Sequence, residues 1–405
     1  MRTAREASRE MTRIRGAAAI VGIGEVPTGR YADRPVAQAA IEAARQAILD
    51  SGFSGDEVDV VMPTVTLADR RFNTDLGFSR LVEELGLLRR TRANIQVFAG
   101  GASGSVMLVT AAALVATGVA RAVLCVHADR LASGLPTSEA IDLFSTLGIP
   151  EAWEGRYGQH YSSIAALITR RFMHERGVTE EQLASVCVAL RKWAELNPNA
   201  MFRTPLTIEE VLSSKILSDP LHSKESNVLA DGAAGFVVTT AQRARDVSER
   251  PVYLIGTGSR VTHYSLSQEA DLAAFGWREA GRSAFSMARL SPGDVDIAEL
   301  YDSYPIFPLI QLEELGFCEP GTAGMFVADG NTWPGGHLPM TTNGGMLSAG
   351  HTGAGGGFAL VVETARQLMG KAGPRQVPGV RVAVETGTGG SYMDAHVNVL
   401  STEVP

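Results

Sequence analysis

An α/β layered fold built from two copies of one unit is predicted by three observations. Short apolar runs closed by glycine turns alternate with segments whose apolar residues recur at helical spacing. The alternation runs through residues 17–129, lapses, and starts again at residue 251. Landmarks then return in the same order. "GFSGDEVDVVMPTV" (52–65) answers to "LSPGDVDIAELYDSY" (290–304), each a helix end, a glycine turn, an acidic residue two before an Asp, and a strand. "FSRLVEELGL" (78–87) answers to "FPLIQLEELGF" (307–317). "QVFAGGASGSVMLVTAAALVATG" (96–118) answers to "TNGGMLSAGHTGAGGGFALVVETARQLMG" (342–370). Two unrelated α/β domains are the blander alternative, but they have no reason to share that order.

In chain order, residues 1–15 are charged, lack an apolar core and read as a frayed tail rather than a signal peptide. "AAAIVGIGEVPTG" (17–29) reads as a buried strand running into a glycine turn. A helix follows over 35–53, with Gly52 as its stop. Next come a strand at 58–65, a helix at 74–87, a strand at 93–98, a helix from Ser103 to Thr117 and a strand at 121–129. From Arg130 to Val228 the pattern is mostly helical and reads as an insertion. A strand resumes at 230–240. "PVYLIGTGSR" (251–260) then repeats the opening strand and turn, a helix occupies Glu279–Ala288, and 379–401 supplies two closing strands. The units are therefore 16–129 with 229–245, the insertion 130–228, and 246–405.

Composition narrows the function. The 405 residues are 45% hydrophobic and 20% charged, enough for one large or two medium cores. A net charge of -8 without a basic stripe argues against a nucleic-acid partner. Cys125, Cys187 and Cys318 lack CxxC spacing, so neither a disulfide framework nor a metal site is expected, and a cytoplasmic setting fits. The longest apolar run, Val106–Val119, is interrupted and too short to span a membrane. "GTGSR" and "GIGEV" do not complete a dinucleotide fingerprint.

The stretch Ala99–Ser105 has the form of a pedestal: a strand end, a tight glycine turn and a helix start, the arrangement that presents a nucleophile. Its apex is Gly101, which has no side chain. His351 stands among Gly345, Gly350 and Gly353 at the start of a predicted helix, where the helix dipole favours a neutral imidazole. Tyr301 follows a strand in "ELYDSY", with Tyr304 behind it.

These residues carry a resemblance. The duplicated α/β chain with "LNPNA", "ADGAA" and "ELYDSY…LEELGF" resembles the thiolase superfamily, in its sterol-carrier-protein-type branch, over nearly all of residues 17–401. The resemblance implies a thiolase fold, with βαβαβαββ halves stacked in five αβαβα layers and an inserted helical loop domain. In that family a Cys-Ala-Ser-Gly motif carries the acyl group. Here those positions read Gly101-Ala102-Ser103-Gly104, so the nucleophile is missing. The family's Gly-His-Pro reads Gly350-His351-Thr352, and its His-Asp-Cys-Phe reads Tyr301-Asp302-Ser303-Tyr304. The chain looks closest to the cysteine-less thiolase-like aldolases of bacterial steroid side-chain degradation, which carry a second tyrosine where His351 stands.

That resemblance implies retro-aldol cleavage of a β-hydroxyacyl-CoA to a ketone or aldehyde and a shortened acyl-CoA. Tyr301 and His351 would take the two proton-transfer roles, in either order. The Gly101 amide, with Gly389 or Gly390 of "TGTGG", would form an oxyanion hole. Tyr304, Asn343, Tyr157 and His160 would shape the substrate pocket. The empty place above Gly101 would admit an enolate or a bulky β-substituent. Coenzyme A would enter as part of the substrate, with no cofactor bound by this chain. A homodimer, joined by a small OB-fold/zinc-ribbon protein into a heterotetramer, is implied as well. An acyltransferase holding its acyl group elsewhere, or a non-catalytic subunit of a thiolase complex, are the alternatives.

Overall fold

A computed structural model describes residues 14–53, 57–69, 73 and 77–404. Most of the expected tail, residues 1–13, lies outside them, as do 74–76 at the start of the expected second helix. Arg15 is already anchored, its guanidinium 3.2 Å from the Ala288 carbonyl.

The first half runs β1 (Ala18–Gly29), α1 (Val36–Asp50), β2 (Val60–Pro63), α2 (Gly77–Glu84), β3 (Ala93–Asn94), α3 (Ser103–Ala116) and β4 (Ala122–Arg130). An excursion follows: α4 (Thr137–Thr146), α5 (Tyr161–Arg176), α6 (Glu180–Glu195), α7 (Ile208–Leu212) and the short hairpin β5 (Ile216–Ser218) with β6 (Leu221–His222). β7 (Asp231–Thr240) and α8 (Ala241–Val247) close the half. The second half holds β8 (Val252–Val261), α9 (Trp277–Ala288), β9 (Ile297–Glu299), α10 (Ile306–Glu314), α11 (Ala323–Ala328), α12 (Gly356–Leu368), β10 (Val382–Gly387) and β11 (Asp394–Ser401).

The strands form one sheet in the order β3-β2-β4-β7-β1-β8-β11-β10-β9, and its order shows the duplication. In the first half β3, β2 and β4 are parallel, while β7 and β1 run antiparallel. In the second, a bridge at Met340 takes the place of β3; β9 and β10 are parallel, β11 and β8 antiparallel. The halves join where Ala19 and Ile20 of β1 pair with Tyr253 and Val252 of β8. Helices α3 and α12 pack on each other and on strands of both halves; α1 covers one outer face and α9 the other. That is the five-layer stack. Among the described residues no helix is long and apolar enough to cross a membrane.

The expected glycine turns after the two opening strands are strand. β1 continues through "GIGEVPTG" to Gly29, and β8 through "GTGSR" to Val261. The glycines serve packing. A Cβ at Gly22 would sit 2.3 Å from the Ala47 carbonyl of α1, and one at Gly24 2.2 Å from that of Ala43. In the other half, a Cβ at Gly256 would meet Ala284 at 2.2 Å and one at Gly258 would meet Ala280 at 2.0 Å, both on α9. A glycine inside a strand often marks a place where another backbone approaches closely. The expected strand 93–98 shrinks to two paired residues plus a bridge at Val97, because the chain is already turning toward the pedestal.

Overpacking a close contact costs about 1–3 kcal/mol. Gly22→Ala and Gly258→Ala should each lower the denaturation midpoint correspondingly. Gly293→Ala, whose Cβ meets only a side-chain oxygen at 3.8 Å, should leave it unchanged.

Candidate active site

Three chain segments meet at a cavity between the halves. The first is the pedestal. Ser103 closes it: its hydroxyl donates to the Gly100 carbonyl at 2.6 Å and accepts from the Ala99 amide at 3.0 Å. Ser103 is fully buried in that role.

The second segment leaves β9. The Tyr301 amide donates to Thr386 Oγ1 at 2.9 Å, and its carbonyl accepts from Gln311 Nε2 at 2.8 Å. Gln311 Oε1 in turn accepts from the Thr386 hydroxyl at 2.6 Å, so the tyrosine backbone is clamped by a closed set of bonds. Asp302, the next residue, accepts the amides of Met346 and Leu347 at 3.0 and 3.2 Å. Burial pushes its carboxyl up to about 7 against those two N–H groups. A Cβ at Gly345 would lie 2.0 Å from Asp302, so the turn 345–349 can sit on the carboxylate only with glycine there.

The third segment carries His351. Sequence reasoning put it at a helix N-terminus; the structure puts it in an extended stretch. Its amide donates to the Val228 carbonyl at 2.6 Å and its carbonyl accepts from Ala230 at 3.0 Å, while α12 begins only at Gly356. The imidazole is neutral for a different reason. Burial first, and the neighbouring His127 second, lower its pKa to about 3. His127 is held between the hydroxyls of Thr64 and Thr352 at 2.9 and 3.1 Å. Glycines make room for both rings: a Cβ at Gly355 would lie 2.1 Å from His127, and one at Gly356 2.8 Å from His351 Nε2.

The Tyr301 hydroxyl stands 3.5 Å from His351 Nε2. His351 Nδ1 is buried and has no hydrogen-bond partner. Burial also raises the Tyr301 phenol above its usual value, with Tyr161 and Asp302 adding to the shift. The phenol and the imidazole therefore face each other, both uncharged.

The place above Gly101 is not empty. A Cβ there would lie 2.4 Å from the Tyr301 hydroxyl, 2.7 Å from its ring and 2.6 Å from the Thr388 carbonyl. The tyrosine side chain fills the space that a residue-101 side chain would take. This replaces the expectation of a vacant slot for substrate.

Gly101, Tyr301, His351 and Gly390 all line the cavity. Gly389 does not, and its amide is spent on Asp394 Oδ1 at 2.6 Å. Tyr304 is buried edge-on against Phe307, with ring centres 6.4 Å apart. Asn343 holds the glycine turn, accepting from the Gly345 amide at 2.8 Å. His160 caps the start of α5, and Tyr157 is 89% exposed. None of these three borders the cavity, nor does Tyr304. Asn227, Ser303, Phe144 and Tyr392 do, and sequence reasoning missed them. Tyr392 adopts φ 63, stacks on Phe307 at 3.8 Å and shares a 3.1 Å contact with the Ser303 hydroxyl. Its position just after the "TGTGG" turn was the available signal. Cys125 and Cys187 are buried with raised pKa values, Cys318 is pushed up to about 12, and none of them lines the cavity. Among the described residues no cluster of ligating side chains could hold a metal ion.

Comparison with known proteins identifies the family and the fold. Residues 258–402 match the thiolase C-terminal domain-like family model. The chain is 34% identical to the 17-hydroxy-3-oxo-4-pregnene-20-carboxyl-CoA lyase of Mycobacterium tuberculosis, covering 92% of this chain and 97% of that one. It is 33% identical to the steroid side-chain-cleaving aldolase of Thermomonospora curvata over 94% and 97% of the two chains. An acetyl-CoA acetyltransferase of Methanothermobacter thermautotrophicus is 30% identical over 95% and 99%. Among solved structures, the Ltp2-ChsH2(DUF35) aldolase superposes with a TM-score of 0.84 at 29% identity, over 96% and 98% of the chains.

The clash at residue 101 is testable without any substrate. Gly101→Ala should lower the melting temperature in the wild-type chain and lower it less in a Tyr301→Ala background. Coupling between touching residues is typically about 0.5–3 kcal/mol. Equal losses in both backgrounds would mean that the tyrosine does not occupy the space.

Proposed function

The chain belongs to the thiolase superfamily, in the sterol-carrier-protein-like branch that includes steroid side-chain-cleaving aldolases, and we propose that it cleaves the Cα–Cβ bond of a β-hydroxyacyl-CoA by a retro-aldol reaction. The products are a ketone or aldehyde and a shortened acyl-CoA. The observation that carries this reading is the Tyr301 hydroxyl lying over Gly101, where an acyl-holding side chain would otherwise stand, 3.5 Å from a neutral His351.

The burial shifts support an assignment of roles. His351, unprotonated down to about pH 3, is the base and accepts the β-hydroxyl proton. The electrons of that O–H bond form the new carbonyl, and the Cα–Cβ electrons move into the thioester enolate. Tyr301, whose phenol burial keeps protonated, donates to Cα. Proton transfer from imidazolium to phenolate across the Tyr301–His351 contact resets the site. The enolate oxygen is assigned to the backbone amides of the Gly101 and Gly390 turns, since Gly389 is otherwise engaged.

Coenzyme A enters as part of the substrate. The pregnene carboxyl-CoA in its relative's name supports a steroid or similarly bulky acyl group. A homodimer in the cytoplasm, completed by a small OB-fold/zinc-ribbon protein, is part of the same reading; the two-component name of the aldolase neighbour supports a second subunit. The acetyltransferase relative keeps acyl transfer as the rival chemistry.

Incubation with a β-hydroxyacyl-CoA should release a carbonyl compound and a shorter acyl-CoA, with no acyl adduct on the protein by mass spectrometry. An adduct would favour acyl transfer. Tyr301→Phe and His351→Gln should each lower kcat by roughly 10²-fold or more, the usual worth of a positioned acid or base. A histidine titrating at its ordinary value would cost roughly tenfold in kcat/KM between pH 7.5 and 5.5. With His351 held at about 3, its protonation should cost nothing over that range, and the rate profile checks this.

A further inference from the structure

The cavity at Tyr301 and His351 measures about 30 Å³. That is room for a water or two, against roughly 300–1,000 Å³ for a small-molecule pocket. An acyl group reaches the two residues only if a wall moves.

One wall is built differently from the rest. Phe144 of α4 stands edge-on to His351 with ring centres 4.8 Å apart, and edge-on to Tyr161 at 5.8 Å. Leu147, just past the helix, also lines the cavity, and its carbonyl accepts the Tyr161 hydroxyl. Helix α4 touches the body through Ala140, Leu143, Phe144 and Leu147, a single stripe at helical spacing, while Ile141 on its other face is 53% exposed. Neither end has a side-chain cap, whereas α5, α6 and α7 each start with a capping box. The helix is bracketed by the same tripeptide form, Gly134-Leu135-Pro136 and Gly148-Ile149-Pro150. Gly148 has φ 79 and lies so close to the oxyanion turn that a Cβ would be 3.0 Å from the Gly390 Cα.

We propose that Phe144, carried on the hinged helix α4, is the residue that sets how bulky an acyl group can reach Tyr301 and His351. This rests on the acyl-CoA reading above and adds where its selectivity resides. When α4 swings on its two Gly-x-Pro ends, the phenyl ring and Leu147 leave the His351 face. The volume they vacate is walled by Leu67, Tyr161 and Tyr392 and suits a ring-bearing apolar acyl group.

The test uses uncleavable CoA thioethers, one carrying a propyl group and one a decalin, so that it reads binding and not turnover. Phe144→Ala should raise the association rate of the decalin thioether about tenfold and leave that of the propyl thioether within twofold, the scale on which pocket walls discriminate. Phe144→Leu should fall between, and serves if the alanine variant does not fold. In wild-type protein, hydrogen exchange should be faster across 137–146 than across 161–176, and should slow when the decalin thioether binds. Equal rate changes for both thioethers, or α4 amides as protected as those of α5, would overturn the proposal. If neither thioether binds, the acyl-CoA reading fails while the exchange measurement still decides whether α4 moves.

Discussion

The site depends on an exclusion: the Tyr301 side chain and a side chain at residue 101 cannot both exist. A Cβ at 101 would be inside contact distance of the phenol oxygen, the ring and the Thr388 carbonyl together. A flexible neighbour could step aside, but Tyr301 cannot easily do so. Its amide and carbonyl are held by Thr386 and Gln311, and Asp302 is pinned under the turn that leads to His351. Loss of a nucleophile and gain of a tyrosine are thus one structural change. Glycine at the apex is the condition for placing a phenol beside the imidazole.

The duplicated architecture explains why two distant segments meet there. The starts of α3 and α12 face each other between the half-sheets, and glycine lets them approach. A Cβ at Gly104 would lie 2.5 Å from the Phe358 Cα, and one at Gly357 would lie 2.2 Å from the Gly101 carbonyl. Each half presents a glycine turn before its central helix, and the pseudo-symmetry brings them together. One turn delivers backbone and the room that Tyr301 fills; the other delivers His351 on an extended stretch braced by Val228 and Ala230.

Much of this was legible in the sequence, within definite limits. Landmarks recurring in order gave away the two halves, because a duplicated unit repeats its helix ends and strands whatever its surface. Gly101, Tyr301 and His351 stood out because glycine, phenol and imidazole occupied motif positions. What failed were readings that treated a local signal as sufficient. Gly22, Gly24, Gly256 and Gly258 looked like turns because their real partners, carbonyls on α1 and α9, are distant in sequence. His351 looked like a helix start because the five residues before α12 carry no sign that Val228–Ala230 will pair with them. Gly389 looked like a free amide because its acceptor, Asp394, lies across a turn whose shape the sequence does not specify. Phe144 gave no signal, since an aromatic in an amphipathic helix is ordinarily core.

The electrostatics and the closed wall are two sides of one requirement. A phenol raised and an imidazole lowered by the same burial stay neutral together. Water admitted to the cavity would relax both shifts and offer the enolate a competing proton source. A site that works through two neutral groups must therefore be dry when it reacts, yet open widely enough to admit a thioester. Rigid clamps on Tyr301 and His351 beside a thinly held α4 satisfy both demands. The reacting atoms keep their geometry while the motion is confined to the apolar side of the cavity, where moving Leu147 releases the Tyr161 hydroxyl from its carbonyl and leaves the clamps on Tyr301 and His351 in place.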